Sequence, residues 1–361
     1  MSGMQRHRAG ATRLMAVALA AFGLVSACER PPTDETQIGY RGTGMELVKN
    51  PRMEAALKAA QLGAIPDIYP PVEPIGETAG EVYENVQILG DLDVAEFDRL
   101  MFAITAWVAP PEQGCNYCHN PENLASDDVY TKVVSREMLK MTWEINNGWD
   151  IHVGETGVTC FTCHRGQPVP GQIWFENPGP KMAGGFAADR AGQNIAGAET
   201  VAFASLPYDP FSSFLASNDN PIRVQGQTAL PPGGDKNIMD TEWTYGLMMH
   251  MSDSLGVNCS FCHNTRAFYD WTQSSPQRIT AQHGIAMVQA LNEAHLAPLT
   301  SVFPEARLGP LGDVAKVNCA TCHQGVNKPL YGTSMLMDFP VLAAPPAKPL
   351  DQEAKAEVEA P

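Results

Sequence analysis

Apolar side chains recur at the three- and four-residue spacing of a helix in four separate stretches of the chain. The first stretch follows Asp93 and Glu96, which have the spacing of a capping box, and ends before Pro110. The second is predicted to begin at a Ser135 cap and to end at Gly148. Both patterns indicate helices with one apolar face.

The third stretch begins near Asp240 or Thr241 and ends at Gly256, and the fourth runs from Pro276 towards Asn292. The chain also contains 29 prolines and 31 glycines, many of them between these stretches. Proline and glycine interrupt regular elements, so the connections should be long and irregular. The pattern therefore predicts a mainly α fold with long irregular connections rather than a sheet protein.

Eight of the nine cysteines fall into four Cys-x-x-Cys-His pentapeptides, and one of the four helices precedes each pentapeptide. Such a pentapeptide attaches a c-type haem, whose edge bonds to both thiols while the histidine binds the iron. A zinc site, a redox dithiol or a disulfide would not require histidine directly after every pair. The sequence therefore predicts four covalently bound c-type haems. Their residues are Cys115, Cys118 and His119; Cys160, Cys163 and His164; Cys259, Cys262 and His263; and Cys319, Cys322 and His323.

An iron that only transfers electrons normally has both axial positions filled, with methionine or histidine opposite the proximal histidine. Met101, Met138 and Met248 lie on the helices that precede the first three motifs. Each can therefore face its own haem. Met141 and Met249 are close rivals, and methionine at helical spacing is commonly a core residue.

The fourth haem has four candidate distal ligands. Met287 and His283 lie on the fourth helix, His295 follows it, and His152 precedes the second motif. A histidine without an assigned role is more often a hydrogen-bonded surface or core residue than a ligand. The residues alone leave the choice among these four open.

The N-terminus has the form of an export signal, with three arginines, an apolar run at residues 14–27 and then Cys28. The run is too short to span a bilayer comfortably. The small residues before Cys28 resemble a bacterial lipobox, in which cleavage leaves a lipidated cysteine at the mature N-terminus. An ordinary cleaved signal and a retained short anchor are the alternatives, and all three place the folded part outside the cytoplasm.

The order helix, haem motif, helix, haem motif occurs twice. An internal duplication explains this order and predicts a multihaem cytochrome c built of two pseudo-symmetric two-haem halves. Beyond Phe339 the composition shifts to Ala, Pro, Lys and Glu, which cannot form a packed core. The predicted segments are a lipoprotein-type signal peptide (1–27), an N-terminal extended segment with a short helix near 51–62 (28–80), the first half (81–170), a connecting segment (171–234), the second half (235–335) and a disordered tail (336–361).

The formal net charge is −16, and removal of residues 1–27 leaves 21 Lys and Arg against 40 Asp and Glu, or about −19. A charge of this sign and size argues against nucleic acid or anionic lipid as partners. It favours a basic soluble partner attracted by long-range electrostatics, although solubility alone also accounts for it.

Together these motifs resemble the tetrahaem cytochrome subunit of purple-bacterial photosynthetic reaction centres. The resemblance covers roughly residues 40–335. It is carried by the four haem motifs, by their methionine helices and by the stretches 135–141, 156–160, 247–249, 252–256 and 322–325.

The resemblance implies an electron carrier on the periplasmic face of the inner membrane, without substrate chemistry of its own. In this family the subunit re-reduces the photo-oxidised bacteriochlorophyll pair held by the L and M subunits, in a complex that includes the H subunit. Its electrons come from a soluble cytochrome c or a high-potential iron-sulfur protein. The resemblance implies Met101, Met138 and Met248 as distal ligands and pairs His152 with His323, which links the two halves through one iron.

By the same resemblance, the haem at Cys259 lies nearest the pair and the haem at Cys115 receives electrons at the outer end. Arg278 lies beside the third haem, where its charge would raise the potential. Two other hypotheses are a periplasmic multihaem reductase, which requires an iron with an open position, and a respiratory electron conduit. A candidate sixth ligand for every iron counts against the reductase.

Overall fold

The computed structural model describes residues 32–67, 69–177, 206–216, 222–225 and 236–345. The predicted signal peptide, Cys28, much of the connecting segment and the end of the predicted tail lie outside these residues. The α-helices are α1 (Pro51–Gly63), α2 (Ala79–Val82), α3 (Val94–Val108), α4 (Tyr130–Gly148), α5 (Asp150–Val153), α6 (Cys160–His164), α7 (Phe211–Phe214), α8 (Ile238–Leu255), α9 (Pro276–Leu291) and α10 (Cys319–His323).

Short turns of tighter or wider helix connect these elements. The wider turn is a π-helix, Asn292–Leu296. The 3₁₀ turns are Gly114–Tyr117, Gly154–Thr156, Cys259–Phe261, Ala297–Ser301, Glu305–Arg307, Pro329–Gly332, Leu336–Asp338 and Pro340–Leu342.

Two small antiparallel sheets complete the secondary structure of the described residues. Strand β1 (Asp34–Gln37) pairs with β2 (Glu46–Lys49), and β3 (Ile173–Trp174) pairs with β4 (Lys316–Val317). The prediction of a mainly α fold with irregular connections is therefore confirmed. Across the same residues we find no helix with the length and apolar content needed to cross a bilayer.

Two helix starts differ from prediction. Helix α4 begins at Tyr130, five residues before the predicted Ser135 cap, and the Ser135 hydroxyl instead donates to the Lys132 carbonyl within the helix at 2.8 Å. Helix α8 begins at Ile238 because the Asn237 side chain accepts from the amides of Met239 and Asp240. The structure therefore begins α4 five residues, and α8 two or three residues, before the predicted starts.

The predicted capping box at α3 forms only in part. The Asp93 carboxylate accepts from the Ala95 amide at 3.0 Å, as an N-cap does. Glu96 forms an ion pair with Arg99 at 2.6 Å instead of a reciprocal bond to the cap. Arg99 is buried, so the carboxylate there neutralises a buried charge.

The helices pack around separate apolar clusters. One cluster joins α3, α4 and α6 and includes Leu100, Trp107, Trp143 and Phe161. A second joins α7, α8 and α9 with β3, and its members are Trp174, Phe214, Leu215, Leu247, Ile285 and Val288.

A third cluster connects the helices of the first motif pair to those of the second. Ile145 of α4 packs with Met287 and Leu291 of α9, and Val158 completes the contact. Because these side chains are buried, the two helices are held together by apolar packing.

The predicted disordered tail begins too early. Phe339 is 1% exposed and Leu342 is fully buried, and both belong to the cluster of α3, α4 and α6. The Trp143 indole donates to the Val341 carbonyl at 2.8 Å, and Asn146 donates to the Leu342 carbonyl at the same distance. Apolar side chains at 339, 341 and 342 make this packing favourable, so residues 336–345 belong to the folded body.

The described part of the N-terminal segment contacts two of the haem motifs. The Asn258 side chain, in the third haem motif turn, donates to the Glu46 carbonyl of β2 at 2.7 Å and accepts from the Val48 amide at 3.0 Å. Gln61 of α1 donates to the Gln324 carbonyl beside the fourth motif at 2.8 Å. The segment therefore makes hydrogen bonds to the turns of the third and fourth haem motifs.

Candidate haem-binding sites

Each Cys-x-x-Cys-His motif lies on one tight turn of chain. The first and third occupy 3₁₀ turns, Gly114–Tyr117 and Cys259–Phe261, while the second and fourth form α6 and α10. All eight cysteines are free thiols, and every histidine directly follows its second cysteine. The turn therefore presents two thiols and one imidazole to the same ligand.

The Nδ1 atom of each motif histidine is hydrogen-bonded to a backbone carbonyl. A carbonyl oxygen can only accept, so Nδ1 carries the proton and Nε2 keeps its lone pair, as a metal ligand requires. The Nδ1–oxygen distances are 3.1 Å from His119 to Leu124, 2.9 Å from His164 to Gln167, 2.8 Å from His263 to Phe268 and 3.0 Å from His323 to Val326.

The acceptor position differs between the two kinds of turn. In the 3₁₀ motifs the accepting carbonyl lies five residues after the histidine, and in the α motifs it lies three residues after. In the α motifs the residue after the histidine, Arg165 or Gln324, has a left-handed backbone with φ of 52° or 49°. This conformation turns the chain back within three residues. The four imidazoles are thus held in two local geometries.

At the second and fourth motifs, burial favours the uncharged form of both histidines and of the first cysteine of each pair. It lowers the pKa of His323 to about 4, with a smaller effect from His152, and it also lowers the pKa of His164. It raises the pKa of Cys160 and Cys319 to about 12, so both stay protonated thiols. Within the described ranges, no group of three or more His, Cys, Asp or Glu side chains is placed to hold a metal ion.

His152 and His323 face each other. Their ring centres are 5.9 Å apart with the rings at 76°. The Nδ1 of His152 donates to the Thr280 carbonyl of α9 at 2.9 Å, which leaves its Nε2 free as well. Two metal–nitrogen bonds of about 2 Å, with ring centres about 1 Å further out on each side, span about 6 Å. The distance between the two ring centres is therefore of the size expected for two imidazoles on opposite sides of one metal ion.

Gly284 of α9 makes room for His152. A Cβ atom added to this glycine would collide with Cε1 of the His152 ring. No pattern in the sequence indicated a role for Gly284, because it lies within a helix and the residue that it contacts, His152, is 132 residues earlier in the chain.

The other candidates for the fourth iron have different surroundings. The Nδ1 of His295 bonds to Glu137 at 2.7 Å and its Nε2 bonds to Glu144 at 2.6 Å, so neither nitrogen has a lone pair to offer. Met287 is buried in the cluster that joins α4 to α9. His283 is half-buried and lies close enough to lower the pKa of His152.

The three predicted methionine ligands lie partly buried against apolar side chains. Met101 contacts the cluster of α3, α4 and α6, and Met248 contacts the cluster of α7, α8 and α9. Met138 contacts the cluster of Leu296, Leu299 and Val314, where the rival Met141 also packs. These positions place methionine sulfur on the apolar faces of the helices named in the prediction.

The second and fourth motifs are adjacent. The Sγ atoms of Cys163 and Cys322 are 2.8 Å apart, and Arg165 donates to carbonyl oxygens of both motifs, at Thr162 and Cys322. Two groups attached through these cysteines would therefore meet at their edges.

Comparison with known proteins agrees with this arrangement. The protein family described as photosynthetic reaction centre cytochrome C subunit matches residues 29–343. The chain belongs to this family. It is 53% identical over 334 residues to the photosynthetic reaction center cytochrome c subunit of Rubrivivax gelatinosus (strain NBRC 100245 / IL144), covering 92% of this chain and 90% of the relative. The corresponding subunit of Thermochromatium tepidum is 51% identical over 329 residues, covering 91% of this chain and 80% of the relative.

A third relative, the photosynthetic reaction center cytochrome c subunit of Roseobacter denitrificans (strain ATCC 33942 / OCh 114), is 41% identical over 344 residues. It covers 90% of both chains. Membership of this cytochrome c family implies covalent c-type haem, and the free thiols and neutral imidazoles described above fit that group.

A cavity of about 510 Å³ lies between α6, α8 and α10, a size typical of cofactor sites. His164 and Arg165 line it, and so does His250 of α8. Burial lowers the pKa of His250 to about 4, and its ring meets Phe211 edge to face with centres 4.6 Å apart. His250 was not predicted as a site residue, because its spacing does not distinguish it from other helical residues.

Arg278 lies beside the third motif, as the family resemblance implied. Its guanidinium stacks on Trp271 at 4.0 Å and donates to Ser274 at 2.7 Å. After burial, which is the largest cause, Arg278 contributes to the lowered pKa of His263. The cation is therefore electrostatically coupled to the third proximal histidine.

Proposed function

We propose that this chain is a tetrahaem electron carrier that re-reduces the photo-oxidised bacteriochlorophyll pair of a photosynthetic reaction centre. The observation that carries the proposal is the repetition at four motifs of free thiols beside a histidine whose Nε2 is free. When bound, haem supplies a one-electron couple at its iron. The names of the relatives support association with the reaction centre.

The axial ligands complete this proposal. The facing of His152 and His323 supports a bis-histidine site between the two halves, and the double hydrogen bonding of His295 argues against that rival. The remaining sites combine histidine with methionine, which raises the potential relative to bis-histidine. The proposed pairs are Met101 with His119, Met138 with His164, Met248 with His263, and His152 with His323.

Two structural halves related by duplication are supported by local geometry. The first and third motifs share a 3₁₀ turn and an acceptor five residues on, and the second and fourth share an α turn and an acceptor three residues on. The contact of Cys163 with Cys322 places the inner attachments of the two halves next to each other. Electrons would then pass from one half to the other through the second and fourth sites.

The third and first haem sites, at the two ends of the proposed electron path, have different partners. By the family resemblance, Cys259 and Cys262 hold the group nearest the bacteriochlorophyll pair. Cys115 and Cys118 hold the group that accepts electrons from a soluble cytochrome c or a high-potential iron-sulfur protein. The formal net charge of −16 favours a basic donor.

We also place the protein on the periplasmic face of the membrane, anchored by lipid on Cys28. The export-type N-terminus and the lipobox-like residues before Cys28 support this placement. Mass spectrometry of the mature protein should find diacylglycerol on an N-terminal Cys28 and haem on all four cysteine pairs. An intact residue 1 would contradict the cleavage, and a missing haem would contradict the tetrahaem assignment.

The function is tested by the recovery of the pair after a flash. In membranes that contain this subunit, the bleached pair should recover within microseconds to milliseconds as c-type haem is oxidised. In membranes of a strain that lacks the subunit, recovery should be much slower. Equal recovery rates in the two membranes would contradict the proposal and favour a periplasmic reductase or a respiratory conduit.

A further inference from the structure

Helix α4 carries a buried lysine beside the first haem motif. Lys132 is 7% exposed, and its ammonium donates to three successive carbonyl oxygens, of Leu124 at 2.8 Å, Ala125 at 2.8 Å and Ser126 at 2.9 Å. An ammonium has three protons, so all of its donors are used. Lysine is rarely buried without partners, and this geometry holds its charge in one place.

One of those carbonyls is already the partner of the first proximal histidine. The Leu124 oxygen accepts from the Nδ1 of His119 at 3.1 Å and from Lys132 at 2.8 Å. The equivalent turn at the third motif has a shorter bond, 2.8 Å from His263 to the Phe268 carbonyl. The first motif thus has a cation bound directly to the acceptor that orients its histidine.

Other charges around Lys132 do not cancel its own. Asp127 lies 3.4 Å from the ammonium, but its carboxylate also binds Arg136 through two bonds of 2.8 and 2.9 Å. Two cations therefore share one anion. The three charges in direct contact, those of Lys132, Arg136 and Asp127, therefore sum to +1 beside the His119 turn.

This arrangement has two electrostatic effects with the same sign. A cation draws electron density from the Leu124 oxygen, which weakens its pull on the His119 proton and makes Nε2 a poorer donor to iron. A nearby positive charge also disfavours ferric iron, which carries one more positive charge than ferrous iron. Both effects stabilise the reduced state.

We propose that Lys132 raises the reduction potential of the iron bound by His119. The inference rests on the proposed function, because it requires haem at Cys115 and Cys118. Lys132 is a positioning residue in this role, acting through the Leu124 carbonyl and through its charge rather than by touching the iron.

The test is a spectroelectrochemical titration of the full protein carrying Lys132→Met. One of the haem components should show at least a tenfold higher ratio of oxidised to reduced form at a fixed ambient potential, a downward shift of about 59 mV for one electron. The other components should stay unchanged. A wild-type titration curve in this variant would overturn the inference.

Lys140→Met is the matched control. This residue lies two turns further along α4, its side chain is 51% exposed, and its ion pair with Glu137 is solvated. The first component should keep its wild-type potential. An equal downward shift in this variant would attribute the effect to net charge in general and overturn the specific role of Lys132.

A second variant separates charge from loop structure. Lys132→Arg keeps the charge and can keep one donor on the Leu124 carbonyl, although its planar guanidinium cannot reproduce all three carbonyl bonds at once. A potential close to wild type supports the inference, and a low-spin protein with the lowered potential overturns it. Mass spectrometry of the wild type distinguishes the two proposals, because absence of haem at Cys115 and Cys118 would overturn the proposed function itself.

Discussion

Each of the four motif histidines donates its Nδ1 proton to a backbone carbonyl rather than to a carboxylate. A carbonyl is neutral, so it orients the imidazole without giving it the imidazolate character that a carboxylate would. Donation by Nε2 should therefore be similar at the second, third and fourth motifs, and weaker at the first, where Lys132 binds the same carbonyl. Differences in potential must come mainly from the opposite ligand and from nearby charges such as Lys132 and Arg278.

His152 provides the sharpest prediction at this scale. The variant His152→Met should raise the potential of one haem by on the order of 100 mV, because methionine sulfur favours ferrous iron relative to imidazole. The other three potentials should stay close to wild type, since no other motif histidine faces His152. A redox titration measures all four, and a response to Met287→Ala in its place would rule out His152.

The Gly284→Ala variant tests the same contact without removing the imidazole. The new Cβ would collide with the His152 ring, so the ring must move away from His323. The low-spin bis-histidine signature should weaken in electron paramagnetic resonance spectra. Gly63→Ala is the control, since an added Cβ there meets no neighbouring atom, and a wild-type spectrum from Gly284→Ala would refute the packing argument.

At the scale of elements, His295 fixes helix α4 to the π-helix Asn292–Leu296. Its two nitrogens bind Glu137 and Glu144, which lie two turns apart on α4 and flank Met138 and Met141 in sequence. The π turn is rare in proteins and here aims one buried side chain at two carboxylates. These two bonds, which we call the His295 clamp, therefore hold the part of α4 that carries Met138, the proposed second methionine ligand.

Removing the clamp should destabilise the protein. The variant His295→Leu leaves two partly buried carboxylates without their partner, at an expected cost of about 1–3 kcal/mol in the free energy of unfolding. Lys140→Ala removes an exposed partner of the same Glu137 and should cost about 0.5 kcal/mol or less. Urea unfolding followed by haem absorbance measures both, and equal costs would show that the clamp contributes nothing special.

Sequence reasoning located the long helices and the four motifs because both depend on local spacing. Helix α9 runs from Pro276 to Leu291, as its apolar period predicts. The start of α4 was missed because Tyr130 to Val134 lack a capping residue, and their place in the helix is fixed by contacts such as the bonds of Lys132. Those contacts depend on the folded shape of the loop at residues 124–126, which the apolar spacing of the helix does not indicate.

Across the whole molecule, the features that the sequence did not predict are contacts between residues far apart in the chain. The facing of His152 with His323 depends on chain segments 171 residues apart, and composition alone led to the incorrect assignment of residues 336–345 to a disordered tail. The family resemblance favours His152, where periodicity alone leaves four candidates. Neither periodicity nor the family resemblance predicted that Phe339 and Leu342 pack in the core.

Three contacts join the segments that carry the first two haem motifs to those that carry the last two. Apolar side chains join α4 to α9, the Sγ atoms of Cys163 and Cys322 touch, and His152 reaches across to His323. Electron transfer requires fixed distances between irons, and buried packing of this kind provides them. Hydrogen bonds from β2 and α1 and the packing of Phe339 and Leu342 add to these contacts and fix the motif turns in the fold.

The central claim is that the four haem sites deliver electrons to the reaction centre. The most direct test is flash-induced absorbance change of c-type haem in native membranes poised at a series of ambient potentials. With the haems reduced beforehand, a flash should oxidise haem, and the amplitude should fall in steps as chemical oxidation proceeds through four one-electron components. A flash that bleaches the pair and leaves reduced haem unchanged at every potential would contradict the account.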